Sequence, residues 1–290
     1  MIIFSVPKPF NREFGTIQEN AIDSWLSIKP KPTIILLGKE EGVVEIIRRK
    51  NLIQIKNIKK NQQGTPLLND IFTQVQKNNE EKIFMYINAD IILLNSPTST
   101  IDILTNKFDR FMAVGRRYEI NRKIKIERKE IEQKIKTFHV RQKSNSWMDY
   151  FIFSQGIFNK IPPFAIGRTF WDKWLVWNVL QQNIPVIDIS ESLFAIHQTH
   201  SYSINNMTNI KTAWSGEEAY NNLRLAGGWS NSATIDDATY IIKKKRIYSQ
   251  KRKKISIRPI LDILPIFWTL FLYIRLIRER LSSIMNQKGG

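Results

Sequence analysis

The 290-residue sequence contains no cysteine, which excludes a disulfide framework, a thiolate zinc site and a cysteine nucleophile together. With only three histidines it also lacks the material for a His-rich metal cluster. The amino terminus, Met1-Ile2-Ile3-Phe4-Ser5-Val6-Pro7, has neither a basic region nor a long apolar segment. It is expected to form a first strand rather than a signal peptide, and a reducing, cytoplasmic compartment is the expected setting. No Gly-x-Gly-x-x-Gly follows that strand and there is no Walker-type lysine loop, so dinucleotide binding and phosphate-loop ATPase chemistry fit poorly. No internal repeat is visible.

What is present is a hydrophobic fraction of 42%, enough for one large core with an appendage. The formal charge of +18 raises nucleic acid as a partner, but its distribution argues against that. From Ile241 onward there are thirteen Lys and Arg against Asp262 and Glu279, which leaves only +7 for the first 240 residues. The excess charge therefore describes where the protein sits better than what it recognises. Within the tail, the apolar stretch from Ile263 to Ile274, with Pro265 and Trp268, is shorter than the about 20 residues that span a bilayer. Preceded by Lys243-Lys244-Lys245-Arg246 and Lys251-Arg252-Lys253-Lys254, it is expected to lie along an anionic membrane surface at the cytoplasmic face. Packing on the domain or on a second subunit is the alternative. The expected division is one domain over residues 1–240 and a polybasic linker with an amphipathic helix over residues 241–290.

The organising stretch runs from Phe84 to Leu94, where β-branched and aromatic residues predict a fully buried central strand. Only Asn88 and Asp90 interrupt it, and their spacing puts both side chains on one face of an extended backbone. A carboxylate in such a strand must be paired or bind a cation. Two readings follow, a turn cap at the strand end or a metal and diphosphate site there. Upstream, residues 2–6 and 33–37 read as strands, 15–28 and 43–50 as helices and 53–58 as an edge strand. Residues 67–77 read as a helix capped by Thr65 with Pro66 at its first position. That alternation predicts an α/β fold with a mostly parallel sheet and a ligand crevice beyond the carboxyl ends of its strands. The loops at residues 7–10, 38–42 and 88–90 should then gather at one rim.

Downstream, a helix is expected from Ile101 and a strand over residues 111–115, closed by Arg116-Arg117. Residues 121–142, rich in Lys, Arg and Glu, read as a solvated amphipathic helix or flap. Strand character resumes around Trp147-Met148-Asp149-Tyr150-Phe151, with Asp149 a second carboxylate in an apolar run. A helix from Thr169 places Asp172 among Trp171 and Trp174 in its first turn. Desolvation raises the pKa of such an acid while the helix amino terminus lowers it, a combination that suits a general base. Simple complementation of the helix dipole is the other reading. Residues 184–188 form another strand, and His197, Gln198, His200 and Tyr202 make a short polar cluster suited to ligand or phosphate contact or to a structural role. A last helix opens near Gly216 with a capping-box-like sequence and ends at Gly227.

The ordered set Asn20-Ala21-Ile22-Asp23-Ser24-Trp25-Leu26, Gly64-Thr65-Pro66-Leu67-Leu68-Asn69-Asp70, Tyr86-Ile87-Asn88-Ala89-Asp90, Gly115-Arg116-Arg117, Ile166-Gly167-Arg168, Trp171-Asp172-Lys173-Trp174 and His197-Gln198-Thr199-His200-Ser201-Tyr202 resembles the GT-A-fold glycosyltransferase-like proteins of the inverting family 2 type. The likeness covers residues 1–240 and excludes the tail. It implies a Rossmann-type sheet and transfer of a sugar from a nucleotide-diphospho-sugar donor to an acceptor hydroxyl. Asn88-Ala89-Asp90 stands where that superfamily's Asp-x-Asp holds Mn²⁺ or Mg²⁺ against the donor's phosphates, with Asn replacing the first Asp. Asp172 stands in the place of the general base, with Trp171 replacing the usual neighbouring acid. The resemblance further implies that His197 or His200 completes the metal shell or contacts the pyrophosphate. Glu40, beside Glu41, would lie near the nucleoside base, Pro7 and Asp70 would border the donor, and Arg116, Arg117 and Arg168 would clamp phosphate. Two other classes stay open. A sugar nucleotidyltransferase shares the sheet but wants a Gly-rich lysine loop that Pro7-Lys8-Pro9-Phe10-Asn11-Arg12 does not provide. A non-catalytic, membrane-associated binding protein with a degenerate GT-A fold is favoured by the Asn88 replacement.

Overall fold

The computed structural model describes residues 1–77, 79–120, 141–158, 160–198, 216–250 and 258–263. The chain begins β1 (Ile2–Ser5), α1 (Arg12–Leu26), β2 (Thr33–Leu37), α2 (Val43–Lys50), β3 (Ile53–Ile55) and α3 (Leu68–Lys77). It continues through β4 (Ile83–Ile87), β5 (Ile91–Leu93), α4 (Thr98–Thr105), β6 (Met112–Val114), β7 (Arg117–Ile120), β8 (Arg141–Gln142) and β9 (Tyr150–Ser154). Then come α5 (Trp171–Gln181), β10 (Val186–Asp188), β11 (Ala195–Gln198), α6 (Glu217–Ala226), β12 (Tyr240–Lys243), β13 (Arg246–Ser249) and α7 (Arg258–Ile263).

Nine strands form one sheet in the order β13-β12-β10-β6-β9-β4-β1-β2-β3, and β5-β11-β7-β8 form a second. The large sheet is mostly parallel; β9 and β13 are its antiparallel members. Its central strands are buried along almost their whole length and mostly apolar, because both faces are covered. In β4, Phe84 and Tyr86 enter one core cluster while Met85 and Ile87 enter the other. Helices α3 and α5 cover the first face through Leu68, Ile71, Phe72, Leu175 and Val179. Helix α1 covers the second through Ala21, Ile22 and Trp25. Each of the Leu, Ile, Val and Phe side chains among them, fully withdrawn from water, contributes about 1.5–3 kcal/mol.

The sequence predicts one strand over residues 84–94, and the chain instead divides it between the two sheets. Beyond β4 the amide of Asn88 makes a ladder bond to Asp149 O (2.9 Å), and Asn88 O accepts from Ile91 N (3.1 Å), which turns the chain. Helix α1 then engages β5: Trp25 Nε1 donates to Ile91 O (2.9 Å) and Leu93 N donates to Ser24 Oγ (3.0 Å). Apolar content alone could not reveal this break, because both halves are buried.

Three further expectations change. Helix α3 starts at Leu68 because Pro66 and Leu67 form isolated bridges with Lys60 and Ala165, so Thr65 is not its cap. Gly216 precedes α6 without a side-chain capping bond, although Gly227 (φ +79°) does end it in the left-handed region. The sheet also runs past residue 240: β12 and β13 form an antiparallel hairpin on its edge, with Ile242 fully buried. The expected domain boundary thus falls inside a hairpin. The expected flap lies mostly outside the described residues, as does the tail beyond residue 263. The described start of the tail, α7, meets the domain where Ser230 N donates to Asp262 Oδ2 (2.8 Å).

Candidate active site

Because β4 and β9 are antiparallel, the carboxyl end of one lies beside the amino end of the other. Asn88 and Asp149, just beyond those ends, are therefore neighbours, and Asn88 Nδ2 donates to Asp149 Oδ1 (2.7 Å). The Tyr86 hydroxyl donates to Asn88 Oδ1 (3.1 Å), so the amide is oriented by protein groups on both sides and its oxygen keeps one lone pair. Asp149 Oδ2 accepts from Arg117 Nη1 (2.7 Å), and Arg117 Nη2 reaches Glu119 Oε1 (3.4 Å). Lys143 Nζ lies 2.5 Å from Glu119 Oε2. The Arg117 guanidinium and the Lys143 ammonium both rest on the Trp147 ring, 4.7 and 5.0 Å from its centre.

The second sheet delivers the histidine. In its register His197 is opposite Ile91 on one side and Glu119 on the other. Asp90, preceding Ile91, approaches His197 Nε2 with Oδ2 at 3.5 Å, and Glu119 Oε1 lies 3.6 Å from Nδ1. The imidazole is buried, whereas Asp90 keeps 18% of its side chain accessible. Burial and the Arg117 charge hold the His197 pKa below its usual value. Burial raises the Glu119 carboxyl, but Lys143, Arg117 and His197 outweigh it and hold the group below the usual range. The Tyr86 hydroxyl is pushed well up by burial and by the Asp90 and Asp149 carboxylates, so it keeps the proton that it donates to Asn88.

Helix α5 brings Asp172 to this rim. Trp171 packs edge-on against Tyr86 at 5.5 Å and at a tilt against Phe151 at 5.8 Å, which seats the first turn over the ends of β4 and β9. Phe170, before that turn, has φ +85°, a conformation that costs a non-glycine residue about 1–3 kcal/mol. Its ring lies edge-on to Trp229 at 4.8 Å, which helps to hold it. The Asp172 carboxyl is pushed up to about 6 by burial, against the Lys173 charge and with a further upward push from Asp149. Gly115 completes the rim: a Cβ there would lie 2.0 Å from the Tyr150 hydroxyl.

Asn88, Asp90, Asp172 and His197 thus come to one rim, and His200 lies outside the described residues. Arg117 is a buried counter-ion to Asp149 and Glu119 rather than an open phosphate clamp. Arg168 likewise pairs with Glu218 (Nε to Oε2, 2.7 Å), which also accepts from Asn61 Nδ2 (2.6 Å). A cation so bound has no net charge left to offer. Arg116 makes no described ion pair, its Nε is buried without a hydrogen-bond partner among the described residues, and its amide donates to Ser190 Oγ (2.9 Å). Asp70 Oδ2 accepts from Lys59 N (2.8 Å) and Gln74 Nε2 (2.6 Å), a structural engagement. Pro7 is buried beyond β1, and Glu40 pairs with Lys60 Nζ (2.9 Å). Surface hollows lie over Lys39, Glu40 and Arg48 and over Met1, Pro30 and Ile101, and neither takes in Asp90, Asp149, Asp172 or His197.

Glu119 and Lys143 carry no signal in the sequence, since only strand register unites them with His197. Asp149 does carry one, as a carboxylate entering a buried aromatic strand.

No family model and no curated protein matches the sequence. Among solved structures, the 1–349 fragment of S. aureus TarS in complex with UDP-GlcNAc superposes with a TM-score of 0.50 over 77% of this chain, at 12% identity. The fold is GT-A. The same TarS fragment with UDP gives 0.48 at 12% identity over 77% of this chain and 63% of that one. GalNAc-T7 with UDP, GalNAc and Mn²⁺ gives 0.44 at 11% identity over 80% of this chain and 49% of that one. The chain spans 64% of the first TarS fragment, less than two thirds of its length. The described GT-A sheet carries the Asn88–Asp90 turn at the carboxyl end of a central strand, as an α/β crevice requires.

Proposed function

We propose that this chain is a glycosyltransferase that moves a sugar from a nucleotide-diphospho-sugar to an acceptor hydroxyl, with inversion and with Mn²⁺ or Mg²⁺ bound at Asp90. The observation that carries the reading is the convergence on one rim of the Asp90–His197 pair and of Asp172, raised to about 6. Asp172 would be ionised near neutral pH yet basic enough to take the acceptor's proton. The freed oxygen attacks the anomeric carbon, the bond from that carbon to the diphosphate oxygen breaks, and the electron pair leaves with the nucleoside diphosphate. TarS, whose structure holds UDP-GlcNAc, supports a uridine diphosphate donor as the first to try.

The residues fit a divalent ion. Asp90 Oδ2 and His197 Nε2 are 3.5 Å apart and face one another across the rim, an oxygen and a nitrogen of the kind that such an ion accepts. Among the described residues no three His, Asp or Glu gather for a metal, so phosphate oxygens and water would fill the other positions. When bound, the ion supplies stabilisation of the charge that develops on the departing diphosphate. Tyr86 and Asp149 fix Asn88, and Arg117 keeps Asp149 from repelling the donor.

Residues 243–246 form a turn of Lys and Arg with Lys244 and Lys245 at φ +46° and +61°. This exposed basic tip supports contact with an anionic membrane surface at the cytoplasmic face. The transfer reading is tested by incubating the full chain with UDP-GlcNAc and following the released sugar by proton NMR. Cation-dependent release of the β-anomer from the α-linked donor, lost in Asp172→Asn, is expected; release that persists in that variant removes the general base.

A further inference from the structure

We propose that Asp262, at the described start of the tail, is a positioning residue for Asp172: it latches α7 onto the Trp229 turn, which in turn holds the start of α5. This inference rests on the transferase reading of Asp172 and gives the tail a part in the reaction. Arg258 and Asp262 are four residues apart, so a helix puts both side chains on one face. That face meets the domain twice. Arg258 Nη2 pairs with Asp237 Oδ2 at 2.7 Å, and the same oxygen accepts from Thr234 N (2.8 Å). The Asp262 carboxylate accepts from the amides of Trp229 and Ser230 and from the Ser230 hydroxyl. Bonds to an ionised acceptor are stronger than their neutral counterparts. Gly228 leaves room for the approach, since a Cβ there would lie 2.5 Å from Asp262 Oδ1.

The turn held in this way touches α5 on both sides of the base. Trp229, buried, meets the Phe170 ring edge-on at 4.8 Å. The Lys173 ammonium lies over both rings, 5.5 Å from the centre of Phe170 and 5.8 Å from that of Trp229. Ala233 N donates to Lys173 O (3.0 Å). These contacts fall two residues before Asp172 and one after it. Phe170, at φ +85°, is in a strained conformation that persists only where its surroundings fix it. Asp262 fastens the turn from its outer side, Trp229 bears on Phe170, and Phe170 sets the direction in which the first turn of α5 presents Asp172. The competing role, a tail docked for stability alone, would leave the Asp172 carboxyl unchanged.

The test uses the full chain as wild type, Asp262→Ala and Asp262→Asn. The Asp172 carboxyl is titrated by ¹³C NMR, its signal assigned by its loss in Asp172→Asn, and sugar release from UDP-GlcNAc gives kcat and KM. Wild type is expected to titrate at about 6. Asp262→Ala is expected to bring that value down toward the ordinary 3.8, because burial is the largest influence on the carboxyl and a loosened turn admits water. Its kcat should fall about 10–100-fold with the donor KM unchanged. Asp262→Asn, which keeps one acceptor oxygen, should lie between the two. A carboxyl that titrates in Asp262→Ala as it does in wild type, or an unchanged kcat, overturns the proposal and leaves the transferase reading standing. Absence of release by wild type overturns the proposal together with that reading. Should Asp262→Ala fail to fold, the same titration of Asp262→Asn decides, and a carboxyl unmoved there overturns the proposal.

Discussion

Replacing Asp172 by Asn should make the protein more stable and less active, and the gain should depend on pH. The carboxyl rises from its ordinary 3.8 to about 6 because burial strips water from the charge. Ionising it in the folded chain therefore costs about 3 kcal/mol more than in the unfolded chain. For an acid whose folded pKa is raised, the contribution to stability is full below the unfolded value and is lost as pH rises through about 6. Asn carries no charge and escapes that loss. Urea unfolding of both proteins should show near-equal stability at about pH 4 and an advantage for Asp172→Asn approaching about 3 kcal/mol at about pH 8. Sugar transfer by the variant should fall by about 10²–10⁴-fold. An advantage of the same size at both pH values would refute the reasoning, since it would show that the carboxyl is not desolvated by the fold.

Transfer by the wild type should rise with pH through about 6 as Asp172 ionises, and a pH–rate profile flat across that region would remove it as the base. Arg117→Ala leaves Asp149 and Glu119 without their shared counter-ion and should cost about 3–5 kcal/mol by denaturant unfolding, whereas a loss under about 1 kcal/mol would show that water already screens the pair. Gly115→Ala puts a Cβ 2.0 Å from the Tyr150 hydroxyl and should cost about 1–3 kcal/mol. Adding Tyr150→Phe should recover part of that loss, because the ring carbon beneath the hydroxyl is still only 2.9 Å away.

The α/β class was legible because buried strands and amphipathic helices leave different periodicities, and β2 and α2 lie where those periodicities put them. The division of residues 84–94 was not legible, since a strand passing from one sheet to another stays apolar on both sides of the turn. Asp172 and Asp149 announced themselves as carboxylates among aromatics. Arg117 and Arg168 looked like phosphate clamps because sequence shows a charge but not its partner; Asp149 and Glu218 lie 32 and 50 residues away. The hairpin beyond residue 240 was hidden by its lysines, which at a sheet edge face solvent while Ile242 turns inward.

The central claim is that Asp90 and His197 hold a cation against the donor's diphosphate. Calorimetric titration of UDP into the full chain with Mn²⁺, with chelator and in Asp90→Ala tests it most directly. The account predicts binding that requires Mn²⁺ and weakens by at least about tenfold, or about 1.4 kcal/mol, in the variant. UDP binding of equal strength with chelator and in Asp90→Ala would contradict it.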